Sequence, residues 1–460
     1  MLGLVVRLAR SQAMRCAALV ASVCTPPAAL AQFTFQPLPV GSNGLLKVSA
    51  DGRSVAGSAR IDGIEQAALW TVAAGAVRLG SLAGGDGSSL AMGLSADGRF
   101  VVGRASSAKG LEAFLWSAGS GMSALGDLSG SGPFNSAATG VSADGSVVAG
   151  QSARTSSWRA FRWTAGGGLA DLGSLGGGFS GASAVSRDGL LVVGTSRGAA
   201  AQEAFRWTLT GGMSPLGPLA DGGQTLRATA VSGDGKVIVG VGFDSISFQA
   251  FRWTQETGAI ALGTFDAGNP GSSAAGASAD GRVVVGMGSG VDADGSGEAF
   301  VWFPGRGILD LRKCLLAHGV SAVQGWRLSE ATGVADDGRT LVGWGLDPQG
   351  AASGWLAHID IDDTAPPPAA PSQLTGRARG SKVALQWSDN ARNETGFEIE
   401  RCEGKACSDF ARIAQLGANV QSYADKAVGP GTRYRYRVRA FNEGGASEYS
   451  DIVSVRARRR

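Results

Sequence analysis

Residues whose side chains most often carry out catalysis or bind metals are scarce in this sequence. Its 460 residues include 2 histidines, His318 and His358, which are too few and too far apart in the chain to suggest one site. Their scarcity argues against histidine-based catalysis and against most zinc sites. We therefore expect packing roles for both histidines, no metal site and no cofactor.

Cysteine chemistry is confined to three positions beyond the N-terminal region. Cys402 and Cys407 flank residues 403–406, a predicted hairpin tip with no further metal ligands nearby. In an oxidising compartment such a pair predicts a disulfide. Cys314 lies in residues 311–318, a predicted short helix, where we expect a buried thiol; intermolecular pairing is the alternative.

Two weak ligand-binding candidates lie in predicted loops. Asp292 and Asp294 open the glycine-rich segment 292–298, whose oxygens alternate as in the first half of a calcium loop. The segment lacks the later bidentate glutamate, so a plain loop is the alternative. Trp158 is an additional tryptophan that could stack on a sugar, with packing against the protein as the alternative.

Composition favours an all-β protein with many tight turns. Glycine accounts for 73 residues without a collagen period, and charged residues account for only 17%. No apolar run outside the N-terminus is long enough for a membrane helix. These features exclude collagens, coiled coils and helical membrane proteins.

Charge differs between the two parts of the chain. Residues 32–363 hold 22 basic and 28 acidic residues, whereas residues 364–460 hold 16 and 10. The basic part includes four alternating arginines of one predicted strand, Arg433, Arg435, Arg437 and Arg439. They could meet an anionic glycan surface, or form a solvated sheet face. Nucleic acid is not an expected partner, because no base-stacking motif accompanies them.

The N-terminus has the pattern of a signal peptide. Arg7, Arg10 and Arg15 precede a mostly apolar stretch that ends in Ala-Leu-Ala before Gln32. A buried N-terminal helix is the alternative. We therefore predict a signal peptide over residues 1–31 and a secreted or extracellular mature protein, with the periplasm as a second location.

One unit recurs seven times. The phrase Val-Ser-x-Asp-Gly, followed by a Val-Val-x-Gly-like run, places its first glycine at Gly52, Gly98, Gly145, Gly189, Gly235, Gly281 and Gly338. An Ala-Phe-x-Trp-like phrase follows each copy, with its tryptophan at Trp70, Trp116, Trp163, Trp207, Trp253, Trp302 and Trp355. A repeated unit of this length is typical of a four-stranded propeller blade.

Strand and turn signals within the unit agree with that interpretation. The Asp-Gly pair between apolar runs predicts a type I′ hairpin turn. The last copy lacks a fourth strand, and residues 33–38 precede the first copy with the apolar spacing of a fourth strand. We therefore predict a seven-bladed β-propeller over residues 32–363, closed by pairing of residues 33–38 with 354–361. An open solenoid is the alternative.

These phrases resemble the HAF repeat family, bacterial extracellular repeats named for a His-Ala-Phe phrase. The phrase appears here with the histidine replaced, as in Glu112-Ala113-Phe114 and Arg159-Ala160-Phe161. The resemblance covers residues 33–361. It implies an exported protein and no known chemistry.

The C-terminal region has a different pattern. Residues 364–372 form a proline-rich linker, and residues 373–457 contain seven predicted strands, followed by a basic tail, 458–460. Trp387 and the Tyr434-Arg435-Tyr436 run resemble the core tryptophan and sixth strand of a fibronectin type III domain. The resemblance implies that Tyr434 is the structural tyrosine corner.

The residues expected at the propeller's channel mouth bear on whether the protein is an enzyme. Residues expected at the propeller's channel mouth, such as Ala138, Thr139 and Gly140, are small and uncharged. A glycosidase would need two carboxylates there. We therefore expect a monomeric, non-enzymatic binding protein that contacts a glycan or a protein through the propeller's variable face. The alternative is a secreted carbohydrate-active propeller enzyme with an accessory fibronectin type III module.

Overall fold

The computed structural model describes residues 33–39, 45–130, 133–154, 157–199, 201–244, 246–265, 271–289, 297–360, 367–379, 382–391, 393–442 and 445–458. The predicted signal peptide, residues 1–31, lies outside these ranges. The described chain is almost entirely β-structure.

Each of the first six repeats forms four antiparallel strands of one sheet, the seventh contributes three strands to a four-stranded sheet, and the sheets are numbered 1 to 7 along the chain. An N-terminal strand, β1 (Thr34–Leu38), precedes them. Sheet 1 contains β2 (Lys47–Val48), β3 (Ser54–Ile61), β4 (Ile64–Thr71) and β5 (Gly75–Arg78). Sheet 2 contains β6 (Ser89–Leu94), β7 (Phe100–Ser107), β8 (Gly110–Ser117) and β9 (Gly121–Gly126). Sheet 3 contains β10 (Phe134–Val141), β11 (Val147–Arg154), β12 (Ser157–Thr164) and β13 (Gly168–Asp171).

The remaining four sheets repeat the same order. Sheet 4 contains β14 (Ser180–Val185), β15 (Leu191–Arg197), β16 (Gln202–Thr208) and β17 (Gly212–Pro215). Sheet 5 contains β18 (Gln224–Val231), β19 (Ile238–Phe243), β20 (Phe248–Thr254) and β21 (Gly258–Ala261). Sheet 6 contains β22 (Ser272–Ala277), β23 (Val284–Ser289), β24 (Gly297–Phe303) and β25 (Gly307–Asp310). Sheet 7 contains β26 (Arg327–Val334), β27 (Thr340–Leu346) and β28 (Ala352–His358), with β1 as its fourth strand.

The seven sheets contact one another in sequence, and the last contacts the first. The first strands form a continuous series of contacts from β2 through β6, β10, β14, β18 and β22 to β26, and β26 contacts β2 again. A short parallel pairing of β8 with β10 also joins sheets 2 and 3. The N–H of Asp336, in the first turn of sheet 7, donates to the carbonyl of Ala50, in the first turn of sheet 1, at 3.0 Å. Sheets 1 and 7 are therefore neighbours in space although they lie at opposite ends of the repeat region.

The N-terminal strand pairs as the sequence predicts. β1 runs antiparallel to β28, from Thr34 opposite His358 to Leu38 opposite Gly354. Phe35 is buried and its ring meets that of Trp326 edge to face, with centroids 5.1 Å apart. The apolar spacing of this segment thus places it against the core of sheet 7.

The predicted type I′ geometry of the Asp-Gly turns is wrong. The seven turn glycines have φ between 65° and 74°, but the preceding aspartates are not among the described non-glycine residues with positive φ. In sheet 1, the N–H of Gly52 donates to Ser49 O at 3.0 Å, and that of Arg53 donates to Asp51 Oδ1 at 3.0 Å. The aspartate side chain therefore holds the turn, so the aspartate backbone need not enter the left-handed region.

An insertion distinguishes the join between sheets 6 and 7. Helix α1 (Leu311–Ala317) and a 3-10 turn (Ser321–Val323) lie between β25 and β26, close to the predicted helix. The Asp310 carboxylate accepts the N–H of Lys313 and so caps the helix N-terminus. Leu311 and Leu315 are buried in the core of this region.

The C-terminal region forms two packed sheets. One contains β29 (Ser372–Arg379), β30 (Lys382–Ser388) and β33 (Ser422–Asp425); the other contains β31 (Gly396–Glu403), β32 (Ala411–Gly417), β34 (Arg433–Asn442), β35 (Gly445–Ala446) and β36 (Val453–Arg456). Trp387 is buried between them, with its ring centroid 5.7 Å from that of Phe397. The Tyr434 hydroxyl accepts the N–H of Gly429 at 2.9 Å, which is the backbone contact expected of a tyrosine corner.

Candidate functional site

The variable residue of each Val-Ser-x-Asp-Gly turn lies near the centre of the seven sheets. One cavity of about 130 Å³ is lined by residues from all seven sheets, among them Val48, Ala50, Arg187, Gly233 and Asp336. Arg187 and Asp336, from sheets 4 and 7, form an ion pair, with Nη1 donating to Oδ2 at 2.6 Å. A Cβ at Gly233 would lie 2.6 Å from Arg187 Cζ, so the glycine leaves room for the guanidinium. The pair therefore lies in the lining of this cavity and joins sheets 4 and 7.

The turn serines and aspartates form a repeated hydrogen-bonding unit. In sheet 3, Ser142 Oγ donates to Asp144 Oδ1 at 2.7 Å and accepts the N–H of Val147 at 3.0 Å. The hydrogen bond from Ser142, followed by those from Ser146, lowers the pKa of Asp144 from 3.8 to about 2. Asp144 is therefore a turn-forming residue whose carboxylate is engaged by its own turn.

Replacing Ser142 with alanine should raise the pKa of Asp144 towards 3.8, because the largest cause of its depression is removed. In the native protein the carboxylate contributes stability above pH 4, and this contribution is lost as the pH falls towards 2. The S142A protein should also lose about 1–3 kcal/mol, because the buried Val147 N–H loses its acceptor. NMR titration of the Asp144 carboxyl and denaturant unfolding measure the two effects. Ser146→Ala, which leaves the Ser142 bonds in place, is the matched control; equal effects from both variants would contradict this assignment.

A lysine absent from the sequence-based predictions joins sheets 1 and 7. Lys47 Nζ donates to Thr332 O at 3.2 Å, and Thr332 Oγ1 donates to Leu46 O at 2.9 Å. Burial lowers the pKa of Lys47, and the nearby Glu330 carboxylate opposes that shift. Lys47 directly precedes the turn phrase of the first repeat. In four other repeats the residue at this position is a glycine: Gly93, Gly140, Gly276 and Gly333. Alignment of the repeats would have revealed this exception.

A larger cavity lies between sheets 5 and 6. The sheet 5/6 cavity has a volume of about 330 Å³ and is lined by Arg227, Val241, Phe248, Gly271, Ser272, Ser273, Met287, Gly288, Ser289 and Gly297. It opens at the end of the sheets that carries the connections between second and third strands, the face predicted to vary. Phe248, the first residue of β20, and Ile246, in the β19–β20 connection, are 56% and 79% exposed. Exposed apolar side chains beside a cavity of this size are typical of a binding surface.

The register shows that residues lining this cavity occupy positions that vary among the repeats. Phe243 lies opposite Phe248 in sheet 5, where sheet 4 has Arg197 opposite Gln202. In sheet 5, Arg227 precedes Ala228, which pairs with Gly240 of the second strand. In sheet 6, the equivalent residue is Ser273, which precedes Ala274, the partner of Gly286. Sequence reasoning missed both positions because it compared the shared phrases and not the residues between them.

A further cavity brings two carboxyl groups together. About 200 Å³ in volume, it lies beside the insertion and is lined by Glu298, Asp310, Arg312, Trp326, Arg327 and Leu328. Asp310 is already engaged: its Oδ1 accepts the Lys313 N–H at 2.9 Å, and its Oδ2 meets Lys313 Nζ at 2.8 Å. One of the two carboxyl groups therefore has a structural role in capping α1.

The described residues include one of the three predicted ligand-binding residues, Trp158. Asp292 and Asp294 lie outside the described residues. Trp158 lies on β12 opposite Ala153 and is half-buried. Trp158 in sheet 3 and Phe248 in sheet 5 occupy equivalent positions. The residue pair that contains each of them lies three pairs along the strands from the pair that contains the second-strand glycine, Gly150 or Gly240. Trp158 therefore shares the position of a cavity-lining residue, and its sugar-binding role stays a prediction.

The alternating arginines of β34 are engaged within their own domain. Arg437 and Arg439 donate to Glu400 and Glu398, each through Nε at 2.8 Å. The Arg437 guanidinium also lies 3.7 Å from the ring centroid of Tyr449. These contacts neutralise much of the charge on the strand, which favours the solvated sheet face over an anion-binding surface.

The predicted disulfide is confirmed, since Cys402 and Cys407 are bonded, with Cα atoms 6.0 Å apart. Cys314 is free and half-buried, and burial raises the pKa of its thiol. His318 Nδ1 lies 2.9 Å from Cys314 O, and its ring stacks on Phe33 with centroids 3.8 Å apart.

Removing the disulfide should lower the stability of the C-terminal domain alone. The bond closes a short loop, so by the chain-entropy model the C402S/C407S double variant should lose about 2 kcal/mol. Hydrogen exchange of β31 and β34 amides reports on this domain, and amides of sheets 1–7 serve as the internal reference. Cys314→Ser is the matched control. Unchanged exchange in β31 and β34 would contradict the prediction.

The described ranges hold neither a metal-binding cluster nor a membrane-spanning helix. No group of three or more of their His, Cys, Asp or Glu side chains is placed to hold a metal ion. None of their helices is both long and apolar enough to cross a bilayer.

The fold and its sites define an all-β chain that contains a fibronectin type III domain. Residues 369–456 match the family model of this domain. A fibronectin type III-like protein from Clostridium thermocellum is 24% identical over 20% of this chain and 96% of its own, with a TM-score of 0.18.

Two further solved structures show partial similarity. TolB from Acinetobacter baumannii is 15% identical over 55% of this chain and 62% of its own, with a TM-score of 0.41. Pectate lyase PelI from Erwinia chrysanthemi, solved in complex with tetragalacturonic acid, is 24% identical over 19% of this chain and 28% of its own, with a TM-score of 0.18.

Proposed function

We propose that this chain is an exported, non-enzymatic binding protein. Its seven sheets are the blades of a β-propeller closed by β1, and the propeller binds a glycan or a protein through the face that carries the connections between second and third strands. The observation that carries the proposal is the sheet 5/6 cavity with its exposed rim, because apolar groups left in water beside a cavity are typical of interaction sites.

Propeller closure is supported by the β1–β28 pairing and by the contact of β2 with β26. Cross-linking tests it. Thr34 and His358 are directly paired, so cysteines at these positions should lie within disulfide range. In a Cys314→Ser background, the T34C/H358C protein should form this bond on mild oxidation of the folded chain, whereas T34C/Q202C should not. Absence of the T34C/H358C bond would overturn the closure.

Export is supported by the disulfide and the fibronectin type III domain, both common in extracellular proteins. The signal-like N-terminus and the resemblance to HAF repeats also support export. N-terminal sequencing of protein from the medium, periplasm and cytoplasm of the producing cell tests the proposal. A mature chain beginning near Gln32 outside the cytoplasm is expected; an intact Met1 in a cytoplasmic pool alone would overturn it.

Binding itself is tested with the purified mature protein on arrays of glycans and extracellular proteins. The matched control replaces Phe243 and Phe248 with the arginine and glutamine found in sheet 4, which should preserve the fold. Selective binding that the F243R/F248Q variant lacks supports the proposal. Absence of any selective binder on both arrays would overturn it.

A carbohydrate-active enzyme is the second candidate, and the cavity shared by Glu298 and Asp310 favours it. The engagement of Asp310 with helix α1 argues against it. Release of reducing ends from a panel of polysaccharides, abolished by Glu298→Gln, would replace the binding proposal with this one. No release by the wild-type protein would leave binding as the function.

A further inference from the structure

We propose that the sheet 5/6 cavity binds a small carboxylate with an apolar body, with Arg227 pairing with the carboxylate and Phe248 contacting the apolar part. This inference rests on the proposed binding function and assigns it a site and a ligand class. Its three components are an available cation, an apolar wall and a cavity of suitable size.

The cation is Arg227, which is exposed on β18 and lines the cavity. Its side chain has no hydrogen bond or ion pair within the part of the chain that the structure describes. By contrast, Arg339 pairs with Asp360 at 3.0 Å and Arg401 with Asp425 at 2.8 Å. An unpaired guanidinium at a cavity wall can bind a carboxylate through two parallel hydrogen bonds.

Among the described residues, the acidic side chain of the connection beside the cavity already accepts hydrogen bonds. Asp244, in the β19–β20 connection, accepts the N–H groups of Ile246 and Ser247 through Oδ1 at 2.9 Å, and Gln249 Nε2 donates to its Oδ2 at 3.1 Å. Asp244 therefore stabilises its own turn. The hydroxyl groups of Ser273 and Ser289 also line the cavity and can donate to an anion.

The apolar wall is formed by Val241, Phe248 and Met287. The ring of Phe248 meets that of Phe243 edge to face, with centroids 5.6 Å apart, so the exposed ring has a fixed support. A ligand that covers this surface gains about 25 cal/mol for each Å² removed from water. The volume of about 330 Å³ is at the lower end of the range for small-molecule sites, so it accommodates a small carboxylate or a terminal group of that size.

Wild-type mature protein is tested with three probes by isothermal titration calorimetry and ligand-observed NMR. The probes are 3-phenylpropionate, its neutral amide 3-phenylpropionamide, and acetate, which has the charge without the apolar body. We expect 3-phenylpropionate to bind at least tenfold more tightly than either of the other two. Equal binding of the amide, or no binding of 3-phenylpropionate, would overturn the inference.

Three variants locate the site. Arg227→Ser introduces the residue of sheet 6 and Phe248→Gln that of sheet 4, so both should fold, as circular dichroism would check. Each should weaken 3-phenylpropionate binding at least fivefold, whereas Arg104→Ser, which changes an arginine on sheet 2, should leave it unchanged. Unchanged binding by R227S would overturn the inference. Array binding that survives both cavity substitutions would overturn this site while the proposed binding function stands.

Discussion

Gly240→Ala should lower the free energy of unfolding of the seven-sheet region by about 3 kcal/mol or more. A Cβ at Gly240 would overlap the carbonyl oxygen of Arg227 and lie 2.9 Å from both Ala228 Cα and Phe251 Cε1. The first contact is with backbone, so no change of rotamer relieves it. Denaturant unfolding monitored by circular dichroism measures the loss.

Gly119→Ala is the matched control, because nothing lies within 4 Å of a Cβ at that exposed position and no positive φ is required. It should change stability by less than about 0.5 kcal/mol. Similar stability of the G240A and G119A proteins would contradict this close packing. The same close approach recurs at Gly103, Gly150, Gly194, Gly286 and Gly343, so alanine at any of them should have a comparable effect.

Asp425→Ala should destabilise the fibronectin type III domain by about 3–5 kcal/mol. The Asp425 carboxylate is buried and accepts from Tyr436 Oη at 2.9 Å, from Arg401 Nη1 at 2.8 Å and from the Ala427 N–H at 2.9 Å. Its removal leaves a buried hydroxyl and a partly buried guanidinium without their shared acceptor. Hydrogen exchange of β30 and β34 amides measures the change in this domain.

Two further variants separate charge loss from loss of one hydrogen bond. Tyr436→Phe keeps the ion pair with Arg401 and should cost only about 1 kcal/mol. Asp451→Ala removes an exposed carboxylate of the same domain and should stay within about 0.5 kcal/mol of wild type. If D425A were no more harmful than D451A, the buried network would not be stabilising.

Much of the architecture was predictable because it is periodic. The seven turn glycines defined the repeat, and the spacing of Phe35 and Leu38 predicted that β1 completes sheet 7. The predicted strand over residues 433–442 is β34. The turn type was not predictable from Asp-Gly alone, because the aspartate carboxylate competes with the backbone as the acceptor that shapes the turn.

The candidate site was much less predictable than the fold. The sequence alone singles out Trp158 and the Asp292 segment because they are unusual among the repeats. Arg227 and Phe248 become candidates only when the strand register aligns them with the equivalent residues of other sheets. Phe248 then lies where sheet 4 has Gln202, and Arg227 lies where sheet 6 has Ser273. The repeated phrases predict the strands and turns that all seven copies share. The candidate binding site depends instead on residues that one copy has and the others lack.

The pairing of β1 with β28 also sets the order of events during synthesis. Thr34 and His358 are partners although about 320 residues separate them. At a synthesis rate of about 5–20 residues per second, β1 leaves the ribosome roughly 15–65 seconds before its partner exists. Sheets 1 to 6 can form from neighbouring residues during that interval, whereas sheet 7 keeps an unpaired edge until the two distant segments meet. Agents that bind β strand edges should therefore intercept the newly made chain late, after the sixth repeat and before this final pairing.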